Sequence, residues 1–182
     1  FDRVLDWNFE DPRIRWFEGG QLNASYVCLD QHVRSGHGDD VAIIWEGNDP
    51  ETPNIRRTYA ELLEQVCRAA NALKALGVKR GDRVCIYLQM IPDLVVAMLA
   101  CARIGAIHSV VFGAFLAESL RTRINDAGCT VLITQDTGVR GEKRGIPMKA
   151  TADQALEDAP SIEHVLVVRW TGDSVPMRTG RD

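Results

Sequence analysis

The chain has 182 residues, 46% of them hydrophobic and 25% charged, with a formal net charge of −4. That is enough to bury a core as one domain or a large part of one. The acidic balance (pI near 5.6) excludes a general nucleic-acid binder, and the longest uncharged apolar run, Leu94–Ala102, is too short to cross a bilayer.

Residues 1–40 are rich in Trp, Asp, Gly and Asn, show no sustained period, and read as an N-terminal arm. Within them "NASYVCLDQHV" (Asn23–Val33) can form one helix capped by Asn23. Residues 41–182 read as an α/β unit. "VAIIWEG" is a β-branched strand, "NDPETPN" a turn, and "IRRTY" a plausible hairpin partner. "TYAE" is a capping box, and behind it Leu62, Val66, Ala69, Leu73 and Leu76 recur at helical spacing until Gly77. "DRVCIYL" is the next strand, and Pro92 opens a helix that is apolar nearly all round and ends at Gly105.

"IHSVVF" (Ile107–Phe112) is a strand, followed by a helix with Leu116, Leu120 and Ile124 on one stripe. The strand "CTVLIT", the loop "DTGVRGEKRG", a helix near "ATADQALEDA" and the strand "EHVLVVRW" complete the pattern. Three strand–helix–strand units in succession predict an open, mostly parallel sheet with helices on both faces and its strands covered. The tail Thr171–Asp182 is polar and carries no closing element, which suggests a piece of a longer protein.

The five cysteines show no CxxC spacing and read as small buried hydrophobes in a reducing compartment, the cytoplasm being the expected location. No GxGxxG, no GxxxxGK[ST] and no GxSxG occurs. "HVRSGHGDD" matches no strong metal-ligand spacing, and no metal ligand is assigned. His108 reads as a hydrogen-bonded core histidine and His164 as a surface one.

Two loops at strand ends remain. Ligands of open parallel sheets collect outside the carboxyl ends of the strands, and consecutive strands are usually neighbours, so "VFGAF" and "DTGVRGEKRG" are expected to meet. Phe112 offers a flat apolar face, Gly113 and Gly141 admit a ligand to the backbone, and Arg140 and Lys143 supply charge for phosphate. A solvated turn is the competing reading of the same residues.

"LDWNFEDPRIRWFEGGQLNASYVCLDQHV", "VAIIWEG", "MIPDLVVAMLACARIGAIHSVVFGAF" and "RINDAG" resemble the N-terminal part of the acetyl-CoA synthetases, acyl-adenylate-forming ligases. The resemblance runs from Phe1 to Asp182; propionyl-CoA synthetases are a close alternative, and a non-catalytic CoA- or nucleotide-binding module is a further one. It implies acetate, ATP and CoA as substrates, with an enzyme-bound acyl-adenylate and release of pyrophosphate and AMP. It assigns Arg140, Gly141, Glu142 and Lys143, with Phe112, Gly113 and Ala114, to the nucleotide end of CoA.

Two positions depart from the family's pattern. Ala114 stands where a second glycine is usual, and the loop is one residue longer before "IPMK", leaving Lys143 and Arg144 as alternatives for the second basic contact. The resemblance puts the phosphate loop, the acetate pocket, the ribose-binding aspartate, the catalytic lysine and the Mg2+ site beyond Asp182, in the rest of the polypeptide. No catalytic residue is assigned here, and these residues alone are expected not to adenylate acetate.

Overall fold

A computed structural model describes all 182 residues, 1–182. The N-terminal stretch without a sustained period contains a hairpin: β1 (Arg3–Asn8) pairs antiparallel with β2 (Arg13–Glu18), Leu5 opposite Trp16 and Trp7 opposite Ile14. These four apolar residues share one face, while Asp6 on the other binds Arg3 at 3.0 Å and Arg13 at 3.4 Å.

Asn23 does cap the helical run that follows, its Oδ1 accepting from the Tyr26 N–H at 3.1 Å. The run continues past Val33 as two wide π-type turns, Tyr26–Asp30 and Val33–His37, where a plain helix was expected. The Asn23 Nδ2 also donates to the carbonyls of Ala102 and Arg103, and Arg103 grips Asp30 through two 2.7 Å bonds. The arm is thus latched to the last turn of a later helix, where the Ala102 carbonyl also accepts the Gly105 N–H at 3.2 Å.

β3 (Val41–Trp45) and β4 (Ile55–Thr58) form the expected antiparallel pair. Helix α1 (Tyr59–Ala75) begins with a complete capping box between Thr58 and Glu61. Then come β5 (Arg83–Leu88), α2 (Pro92–Ile104), β6 (Ile107–Phe112), α3 (Ala117–Ala127) and β7 (Val131–Gln135). Next are β8 (Gly138–Arg140), β9 (Lys143–Ile146), α4 (Met148–Ala155) and β10 (His164–Val168).

The central sheet is wholly parallel, in the order β10-β7-β5-β6. Alternation along its strands divides the core. Val84, Ile86, Leu88, Val131 and Ile133 face α1 and α2; Cys85, Tyr87, Val111, Leu132 and Val165 face α3 and α4. Each such aliphatic side chain contributes about 1.5–3 kcal/mol when fully buried.

Four expectations need correction. β6 and β7 are not neighbours, because the chain returns after β6 to the far side of β5. The strands are not all covered: β6 is an edge, and Ile107, Val110 and Phe112 are exposed. Cys28 is exposed and Cys67 half-buried; only Cys85, Cys101 and Cys129 are buried thiols. His108 and His164 are both half-buried, and the buried Nδ1 of His108 has no hydrogen-bond partner.

The tail has no regular element yet folds back. The Arg181 carbonyl accepts from the Val165 N–H at 2.8 Å, and Asp182 binds Lys149 at 2.9 Å and Arg181 at 2.5 Å. Lys149 also binds Asp153 at 2.8 Å, so a buried ammonium is met by two carboxylates.

Candidate functional site

The strand order creates a crevice. β5 passes into α2 on one face of the sheet, whereas β7 leads towards α4 on the other. The carboxyl ends of adjacent strands that diverge in this way are where open α/β sheets bind ligands. Gln89, following β5, and Gln135, ending β7, meet here: the Gln89 N–H donates to the Gln135 Oε1 at 2.8 Å.

The basic segment is a hairpin and not an open loop, which corrects the reading of "DTGVRGEKRG". β8 and β9 are antiparallel, with Arg140 directly opposite Lys143 across the two-residue turn Gly141–Glu142. Gly141 takes φ +57°, and no other turn residue needs a positive φ, the arrangement of tight hairpins with glycine at the first central position. The register shifts by one residue between Gly138 and Arg140, and Gly145, at φ +67°, lies in the longer strand. The longer strand therefore carries a β-bulge just before "IPMK".

This register separates the two candidate bases. Lys143 is the cross-strand partner of Arg140, while Arg144 is the next residue along, where strand alternation turns side chains to the other face. Residues 140–145 are all exposed, and none of Arg140, Glu142, Lys143 or Arg144 makes an ion pair. Like charges directly opposite one another are unfavourable in a two-stranded sheet, and Arg140 and Lys143 are such a pair.

Phe112, at the end of β6, is 59% exposed, and its ring meets that of Phe115 edge-on at 6.1 Å. Phe115 is steadied by the Arg123 guanidinium 4.8 Å above it, and its carbonyl accepts from the Tyr87 hydroxyl at 2.8 Å. Gly113 is buried against β5: a Cβ there would lie 2.9 Å from the Leu88 carbonyl oxygen. Ala114 is exposed.

The two loops thus reach the same end of the sheet without being adjacent. β5 separates them, which sets their strands about 10 Å apart. They abut consecutive residues of one strand end, Gly113 at Leu88 and Val139 at Gln89.

Sequence reasoning missed Asp136. This buried carboxylate accepts backbone N–H groups from Thr137 and Gly172 at 2.8 Å and from Trp170 and Thr171 at 3.1 Å. Burial pushes its carboxyl up, but those four donors outweigh burial and hold it below its ordinary value. Asp136 so ties the end of β7 to the exit of β10. The available signal was the pair Gln135–Asp136, two polar residues closing an apolar strand. No three His, Cys, Asp or Glu side chains gather where they could share a metal ion; His37 and Asp40 form a simple 2.8 Å pair.

Residues 29–178 match the family model described as AMP-binding enzyme, and residues 1–28 that of the acetyl-coenzyme A synthetase N-terminus. The chain is 60% identical over 182 residues to an acetyl-coenzyme A synthetase of Rubrobacter xylanophilus and 53% identical over 182 residues to one of Alkalilimnicola ehrlichii. All of this chain is covered in both comparisons, against 28% of each relative's length. A protein of the same description from Nostoc linckia is 54% identical over 169 residues, covering 93% of this chain and 49% of the relative.

Proposed function

The chain belongs to the AMP-binding enzyme family, and from that premise we propose that it is the N-terminal part of an acetate–CoA ligase. The complete enzyme joins acetate to CoA through an acetyl-adenylate, consuming ATP and releasing pyrophosphate and AMP. This segment contributes one wall of the CoA site and none of the bond-making groups.

The observation that carries the reading is the Arg140–Lys143 pair, two exposed, uncompensated cations held side by side at the carboxyl end of a parallel sheet. Arg140 offers a planar fork to phosphate oxygens and Lys143 a point charge. The Gly141–Glu142 turn lets the nucleotide approach the backbone. Phe112, beside Gly113 and Ala114, supplies an apolar face for the adenine across β5.

The acetate pocket, the ATP phosphate loop and the Mg2+ that accompanies ATP lie in this reading outside residues 1–182. The compartment is the cytoplasm, in keeping with five free cysteines; no helix is long and apolar enough to cross a membrane.

Two measurements on the full natural polypeptide test the proposal. Arg140→Ala is expected to weaken CoA about tenfold, and to weaken 3′-dephospho-CoA less, since that analogue lacks one phosphate for the cations. Equal, unchanged affinities for both ligands sink the CoA assignment. Acetate-dependent exchange of pyrophosphate into ATP tests the ligase itself; exchange with propionate but not acetate transfers the substrate to the longer acid, and exchange with no carboxylate removes the reading.

A further inference from the structure

The Gln89 side chain behaves as a strand. Its Oε1 accepts the Val139 N–H at 3.0 Å and its Nε2 donates to the Val139 carbonyl at 3.2 Å. A primary amide carries the same donor and acceptor as a peptide unit, so β8 is paired by β9 on one edge and by a single side chain near the other. Gln89 is itself fixed by its backbone bond to Gln135, whose Nε2 reaches the Thr137 carbonyl at 2.8 Å.

Gly138 makes the approach possible. A Cβ at that position would stand 2.5 Å from the Gln89 Oε1 and 2.7 Å from its Cδ. The glycine is required by space, since its φ is not in the left-handed region.

Strands of three and four residues form a hairpin that is marginal in water by itself. A mobile hairpin would have to be ordered each time a ligand bound, at a cost in affinity. The clamp acts on Val139, the residue immediately before Arg140.

We propose that Gln89, seated against Gly138, is a positioning residue that holds the Arg140–Lys143 pair ready for the phosphates of CoA. This rests on the CoA reading above. Gln89 touches no substrate; it sets the hairpin that does.

The test uses the full natural polypeptide and two variants. Gln89→Met keeps the length and removes both bonds; Gly138→Ala keeps Gln89 and occupies its space. Each is expected to speed hydrogen exchange at the Val139 amide about tenfold and to raise the KM for CoA by a similar factor, with the KM for ATP within about twofold. The double variant is expected to be no worse than either single one, because both act on one contact. Unchanged exchange at Val139, an unmoved KM for CoA, or equal rises in both KM values overturns the proposal.

Arg140→Ala, assayed alongside, separates two failures. If it raises the KM for CoA while Gln89→Met does not, only the role of Gln89 falls. If Arg140→Ala leaves the KM for CoA untouched, the CoA reading falls and this inference with it.

Discussion

Lys149 and Asp182 meet at 2.9 Å with side chains 1% and 0% exposed, joining the first turn of α4 to the end of the polar tail. Asp153 lies on the other side of the ammonium, and Arg181 binds both carboxylates. The cluster pins a segment that has no secondary structure.

Removing its centre should be costly. Lys149→Met keeps most of the apolar stem but leaves Asp153 and Asp182 to share Arg181, and is expected to lose about 3–5 kcal/mol in urea unfolding. Asp182→Asn should cost less, because Lys149 retains Asp153 at 2.8 Å. A Lys149→Met protein as stable as the parent would show that the cluster is neutral.

Acid should loosen the same region. Burial pushes the Asp182 carboxyl up, but Arg181, the Arg178 N–H and Lys149 together hold it down to about 2, against 3.8 unfolded. Asp136 is also lowered. A depressed folded value means that the unfolded chain takes up the proton first as pH falls. The stabilisation is therefore full above 3.8 and is lost as pH drops through that value towards 2. Unfolding free energy measured from pH 7 downwards should show this limb, and Asp136→Asn should flatten part of it.

Gly113→Ala is expected to destabilise by about 1–3 kcal/mol, since the new methyl meets the backbone carbonyl of Leu88, which cannot swing aside. Ala114→Gly, one residue on at an exposed position, should stay within about 1 kcal/mol. Paired thermal melts would compare them; equal effects would contradict the close packing at Gly113.

Native thiol labelling should separate the cysteines. Cys28 is exposed and should alkylate first, while Cys85, Cys101 and Cys129 wait for unfolding. Burial also pushes the Cys101 thiol up to about 12, which leaves almost no thiolate at neutral pH. Peptide mass spectrometry after brief iodoacetamide treatment reads this directly, and early labelling of Cys101 would refute it.

Much of the architecture was legible because local signals agreed. Thr58 and Glu61 mark the start of α1, Pro92 that of α2, and Leu62, Val66 and Leu73 of α1 and Leu120 and Ile124 of α3 are buried as their spacing predicts; Leu116, expected on the α3 stripe, instead caps that helix and is exposed. The strand order was not legible, because nothing in "IHSVVF" or "CTVLIT" records on which side of β5 the chain returns. Nor was the hairpin: β8 and β9 are short and rich in glycine and charge, and β8 bonds a glutamine some 50 residues earlier in the chain. The burial of Lys149 was not legible either, because it depends on a tail 27–33 residues further along.

β6 bears on how the isolated chain would behave in solution. Its outer edge has no partner strand, and Ile107 and Val110 project from it into water on opposite faces. Such a border is a template for intermolecular pairing. Self-association should therefore rise with concentration, begin at β6, and be suppressed by a lysine at Val110 without any change to the parallel core behind it.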